Sequence, residues 1–391
     1  MTGTFEVEEE PDIIEDPNDV KIVEYDITAT PRDYTPANLV EMIENGMIEM
    51  PLFQRNFVWK LRDASKLIES IILGLPVPEL FFYAENDNRT NKIIDGQQRL
   101  LSIYFFIKGR FPKNSIGRVS MREAVNGEPG SLDKILNDSK NFTTFALDLK
   151  GSPYNGKTFA GKDDKCLDND TKLKFRLKRT LRVVVIRQNK PSDNDQSMYE
   201  IFDRLNTGGA KLTPQEVRAC LYSGPFYRLL MDLNDNADWR AILGTPADDL
   251  HGKDIELILR CFALLIDRDN YVRKIKDFLN AFSDRSKKFD VARIALLKAI
   301  FTKFVANCKT LEQQIFFRNS RFSISLFESL FVVACERAFM DGNATDPQII
   351  KIQNSTVKAI KDNAEFIGTL SQGTSSTENM KKRIQIAREL V

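Results

Sequence analysis

The sequence predicts an α+β fold, a small mixed sheet with helices followed by an α-helical domain. Three observations predict it. Short apolar runs bounded by Gly, Pro, Asn and Asp (Leu80–Tyr83, Ile93–Ile94, Leu181–Ile186) alternate with segments of helical spacing in the first half. At Asp95-Gly96 the apolar period changes within a few residues from strand-like to helical. From Pro225 onward only helical spacing recurs. The expected organisation is an acidic tail over 1–24, a mixed domain over 25–224 and a helical domain over 225–391.

Composition narrows the classes. At 391 residues, 42% hydrophobic and 28% charged, the chain can bury a sizeable core and has the balance of a soluble globular protein. It has no run of about 18 apolar residues, nor a basic start followed by an apolar core. Neither a membrane span nor a secretory signal is therefore expected, and the expected location is cytoplasmic. Cys166, Cys220, Cys261, Cys308 and Cys335 are widely spaced and read as reduced core residues. His251 is the only histidine and there is no C-x-x-C pair, which excludes an HNH-type nuclease centre and a clustered zinc site. The net charge of +1 is uneven: residues 1–20 hold Glu6, Glu8, Glu9, Glu10, Asp12, Glu15, Asp16 and Asp19 without Lys or Arg, leaving +9 elsewhere. Such a segment is expected to be disordered, as a solubilising leader or a screen over a basic surface.

The elements follow in order. Residues 21–34 alternate as an extended segment. Thr35-Pro36 supplies a cap and an N1 proline for a helix to about Asn45, closed by Gly46. Gln54 and Arg55 are polar side chains within the apolar run Leu52–Val58; a buried guanidinium there needs an anion, either a ligand phosphate or an internal acid such as Asp63 or Glu69. A helix is expected over Leu61–Leu73, stopped by Gly74 and by Pro76 and Pro78. Leu80–Tyr83 pairs with Ile93–Ile94 across a polar hairpin. Residues 109–170 are the least readable, with a short helix at Leu132–Asn137 and a strand at Phe142–Leu149. Lys172, Lys174, Arg176 and Lys178 alternate with apolar residues, predicting a strand with one positive face. That face either follows a nucleic-acid backbone or is a solvated exterior. A helix over Asn194–Leu205 ends in Asn206-Thr207-Gly208-Gly209, and Thr213-Pro214-Gln215-Glu216 is a capping box that opens another. Helices are then expected over 254–266, 271–282, 285–307, 324–339, 347–367 and 377–390.

The stretch with the clearest chemistry is Asp95-Gly96-Gln97-Gln98-Arg99. A glycine turn delivers the first helical amides and a guanidinium fork to one place, an arrangement suited to an anion. Asp95 can hold magnesium or orient a water, and Gln97 and Gln98 offer neutral hydrogen bonds. The plainer reading is a structural turn, with Asp95 capping the helix and Arg99 in an ion pair. An Arg99 turned away from any cavity, or already engaged by internal carboxylates, tells against the enzymatic reading and leaves a non-catalytic adaptor.

Four blocks, Pro51-Leu52-Phe53-Gln54-Arg55-Asn56-Phe57-Val58-Trp59, Leu67–Pro78, Asp95–Arg99 and Ile201–Gly209 with Leu212–Arg218, occur in the order found in the N-terminal domain of GmrSD-type restriction endonucleases, which residues 30–225 resemble. The small sheet with its anion-binding strand–turn–helix is similar to the ParB/sulfiredoxin-like fold, in whose ParB-type members the matching helix start grips nucleotide phosphates. A sulfiredoxin-like activity needs a cysteine near the turn, and the nearest in sequence is Cys166. The resemblance implies a nucleotide-binding, NTP-hydrolysing, magnesium-dependent module of a bacterial modified-DNA restriction or anti-phage system, acting with DNA or a separate nuclease subunit. In it Gly96, Arg99, Gln54 and Arg55 hold the nucleotide, Arg204 and Asn206 close the pocket, and Asp95, Gln97 and Gln98 serve catalysis. The HNH-like domain that commonly accompanies this family has no counterpart here, which argues against DNA cleavage by this chain alone. The rival readings are a non-catalytic DNA- or effector-binding adaptor and, behind both, a magnesium-dependent endonuclease centred on Asp95.

Overall fold

A computed structural model describes residues 26–49, 57, 59–84, 90–113, 135–161, 164–190, 213–246, 249, 252–272, 275–371 and 373–391. The acidic tail, Gln54, Arg55, Arg204, Asn206, His251, the expected 194–205 helix and most of the 85–90 hairpin lie outside these residues, as does the side chain of Cys220. The chain divides into two compact units, one of residues 24–212 with 219–221, the other containing 213–218 and 222–391.

The first unit is built on a five-stranded mixed sheet, ordered β1-β7-β3-β4-β2, from β1 (Asp26–Tyr34), β2 (Ile48–Glu49), β3 (Leu80–Ala84), β4 (Asn91–Asp95) and β7 (Leu181–Lys190). β3 runs parallel to β7 and antiparallel to β4, so the three apolar runs read from the sequence form its centre. β1 lies at an edge, where Pro31, which has no N–H to donate, is tolerated. Its Asp33 accepts both arms of the Arg182 guanidinium at 3.0 and 3.1 Å, directly across from β7.

Three helices pack with this sheet. α1 (Pro36–Glu44) begins at the capping box Thr35/Asn38, and α2 (Leu61–Leu73) has the bounds expected. Gly74 ends α2 at φ 77°, and a Cβ there would stand 2.7 Å from the Arg179 guanidinium, which donates to the Ile72 carbonyl at 3.0 Å. α3 (Gln97–Lys108) buries Leu100, Leu101, Ile103, Tyr104, Phe105 and Phe106. Around it gathers an aromatic core: Phe57 meets Phe105 and Phe111 edge-on at 5.1 and 5.5 Å, and Phe106 meets Phe145, Phe159 and Phe175 at 5.2–5.6 Å. Such edge-to-face pairs add about 0.5–1.5 kcal/mol each beyond burial. A short ribbon, β5 (Arg110–Pro112) with β6 (Phe142–Thr144), extends from α3; β6 is shorter than the strand expected over 142–149.

The expected basic strand at 172–178 is corrected. Asp168 caps α4 (Asn169–Leu173), accepting from the Thr171 amide at 2.8 Å and its hydroxyl at 2.7 Å, and the chain continues as a π-helical turn over Lys174–Lys178. Only Phe175 of this turn is buried, while Leu173 and Leu177 are exposed. Alternation therefore arises from a helical turn anchored by one aromatic.

Among the described residues the second unit is helical, apart from a two-residue ribbon pairing Phe317–Arg318 with Arg321–Phe322 at the break expected there. α5 (Pro214–Leu221) starts at the Thr213/Glu216 capping box, the role expected of Glu216, and contributes its first residues to this unit. The later helices include Lys253–Asp267, Ile275–Ser286, Val291–Cys308, Ile324–Asp341 and Thr377–Leu390. The single helix expected over 347–367 is instead two, Asn354–Asp362 and Ala364–Gly368, because Asn363 takes extended backbone and caps the second through Phe366 N at 2.9 Å. Cys261, Cys308 and Cys335 are buried free thiols, as expected; burial pushes the Cys308 thiol up to about 12. Among the described residues no helix is long and apolar enough to cross a membrane.

Candidate functional site

The candidate site grows out of an irregularity in the sheet. Phe82 faces Ile93 but Phe81 faces Asp95, so the β3–β4 register shifts at the last step and Ile94 is the extra residue. A bulge of this kind bends the strand and re-aims the side chain that follows it. Gly96 comes next at φ 96°, a conformation that L side chains avoid, and a Cβ there would lie 2.2 Å from Leu80 Cδ2 and 3.2 Å from Arg99 Nη2. Glycine is thus required twice, by the backbone angle and by the leucine and guanidinium packed over it.

α3 starts without a side-chain cap, so the capping role considered for Asp95 is not used. Asp95 instead pairs with Arg99, one helical turn on: Nη2 donates to Asp95 Oδ2 at 2.6 Å and to the Glu79 carbonyl at 3.0 Å. The arginine side chain is 16% exposed and the aspartate 39%. Among the described residues Arg99 Nε, which is buried, has no hydrogen-bond partner. The carboxylate thus engages one nitrogen of the fork and leaves the adjacent N–H unmet. Unpaired buried donors are costly, about 1–3 kcal/mol, and uncommon in folded proteins.

Gln98, expected to serve catalysis, also joins two segments of the chain. Its Oε1 accepts from the Trp59 amide at 3.3 Å, tying the chain that follows Phe57 to the first turn of α3. Phe57, 2% exposed, anchors the same segment against Phe105. Two sequence blocks thirty-nine residues apart therefore meet at the turn, which no local pattern announced. Gln97 is half-buried at the helix start.

Of the basic candidates, Lys174 pairs with Asp170 at 2.5 Å, which raises its pKa, and Lys172 lies 6.0 Å over the Phe159 ring. Arg176 and Lys178 are exposed. On a helical turn alternate residues point about 200° apart, so the four cations do not share the single face a strand would give them. A depression of about 730 Å³ is lined by Thr144, Ala146, Gly156, Thr158, Ala160, Gly161 and Lys165, none of them a candidate residue.

Magnesium, which the resemblance implies, is held by one or two carboxylates together with substrate phosphates. Asp95 offers one such carboxylate, paired with Arg99 in the structure.

Comparison with known families bears on the same stretch. Residues 37–223 match the family model of the GmrSD restriction endonuclease, N-terminal domain. The matched residues include β2, β3, β4, β7 and the Asp95–Arg99 turn, and so take in the elements that build the candidate site. No curated protein matches the chain. The likeness to the GmrSD N-terminal domain is a likeness of this region, and the helical unit beyond residue 223 lies outside it.

Proposed function

We propose that the first unit is a nucleotide-binding module of a modified-DNA restriction or anti-phage system, of ParB/sulfiredoxin-like fold, in which the Asp95–Arg99 turn receives the phosphates. The observation that carries this reading is the guanidinium of Arg99 lying over Gly96, where any side chain would be strained, with Nε buried and unpaired among the described residues. A guanidinium with an unmet donor beside uncapped helix amides is a poor structural end point and a good start for a phosphate. Gln54, Arg55, Arg204 and Asn206 are proposed to complete the pocket by virtue of their sequence blocks. Gln98 supports it as a positioning residue through Trp59. DNA or a separate nuclease is the proposed partner of the bound state.

The test is a thermal-shift titration of the full chain with each of the four NTPs, with and without magnesium, paired with phosphate-release assays. A nucleotide at 100 times its Kd raises stability by about 2.7 kcal/mol. Stabilisation of the wild type that Arg99→Ala abolishes is expected; equal shifts in both proteins remove the site. Phosphate release abolished by Arg99→Ala adds hydrolysis to binding.

The second reading, a non-catalytic adaptor that binds DNA or an effector, is favoured by the Asp95–Arg99 pair itself, since an arginine already neutralised can be purely structural. It predicts DNA binding that is indifferent to nucleotide and falls steeply with salt.

A further inference from the structure

Resting on the nucleotide reading, we infer that Asp95 is the resident occupant of the anion position on Arg99, and that a ligand phosphate binds by exchange with it. The geometry is that of a stand-in. Asp95 Oδ2 reaches Nη2 at 2.6 Å, and the same nitrogen also serves the Glu79 carbonyl at 3.0 Å, whereas Nε is buried with no partner among the described residues. A carboxylate or phosphate that fits an arginine fork satisfies two parallel N–H groups. Asp95 is fixed to the end of β4 and satisfies one. Two oxygens of a tetrahedral phosphate, not tethered to the strand, can span Nε and Nη2 and meet the donor that Asp95 leaves unmet. Asp95 is also the more exposed partner, at 39%, so on release its charge returns to water without a large penalty.

The consequence is opposite in sign to that of a metal ligand. A site closed by its own carboxylate binds with an affinity reduced by the fraction of molecules in which the pair is open. Removing the acid should therefore tighten anion binding, whereas removing a metal ligand should weaken it.

Calorimetric titration of the full chain with inorganic triphosphate in EDTA separates the two. Asp95→Asn should bind about threefold to fivefold tighter than wild type, the worth of a half-exposed ion pair. Arg99→Ala should bind at least about tenfold weaker, having lost a charge-assisted fork. An unchanged or weakened affinity in Asp95→Asn, with Arg99→Ala impaired, overturns the exchange while leaving the phosphate site standing. Triphosphate that ignores the wild type, or binds Arg99→Ala equally well, removes the site and the exchange together. If Asp95→Asn unfolds, Asp95→Ala is the second variant. The Arg99 Nε resonance of the wild type gives an independent reading: it should shift when triphosphate binds, and an unmoved signal at saturation overturns the exchange.

Discussion

Gly96 shows how much one hydrogen atom decides. With φ at 96° and Leu80 Cδ2 where a Cβ would stand, Gly96→Ala combines left-handed backbone strain with overpacking of a fully buried leucine. The two effects together should cost about 2–4 kcal/mol, read as a lower urea midpoint at unchanged slope. The Asp95-Gly96 turn and the helical phase of Leu100–Tyr104 were legible because they depend on local backbone chemistry. The partner of Arg99 was left open between an internal acid and a ligand, since an acid four residues away competes with every anion that the fold brings near. The Gln98–Trp59 bond was not legible: it joins segments whose approach depends on Phe57 docking into the aromatic core.

Among the elements, the turn at 172–178 carries the clearest lesson. Its alternating basic and apolar residues match a strand, yet Asp168 caps a helix start at Asn169 and the chain continues helically. Hydrogen bonds from the Thr171 amide and hydroxyl hold the Asp168 carboxyl below the ordinary aspartate value. A carboxyl depressed in the folded state adds stability above the unfolded pKa, about 3.9, and that stability is lost as pH falls through the folded value. Asp168→Ala should therefore lower the thermal midpoint at pH 7 and make a shrinking difference toward pH 2, measured by circular dichroism. The split at Asn363 has the same origin, since a side chain that can cap a helix competes with continuing one. By contrast, the bounds of α2 were fully legible, because Gly74 and two prolines leave the backbone no other course.

At the scale of the whole molecule, the helical unit is pinned by buried charges that periodicity cannot reveal. Arg260 pairs with Glu328 at 2.9 and 3.3 Å, and Arg383 approaches the same carboxylate at 3.8 Å, all three 4% exposed or less. Arg240 and Asp254 meet at 2.7 Å, with Asn234 bridging to Trp239 Nε1. Glu328→Ala removes the carboxylate that faces two buried guanidinium groups and should destabilise the chain by about 3–5 kcal/mol, measured by urea unfolding. Glu328→Gln, which keeps an acceptor, should cost less.

The sequence by itself determined the α+β-then-helical order, the bounds of helices such as α1 and α2 and the glycine turn, because caps, stops and apolar periods act between residues a few positions apart. Tertiary structure alone decided the sheet order β1-β7-β3-β4-β2, the bulge that aims Asp95, the coupling of Trp59 to Gln98 and the pairing of Arg260 with Glu328. Each of these joins groups far apart along the chain, and which of them meet is settled by how the buried surfaces fit.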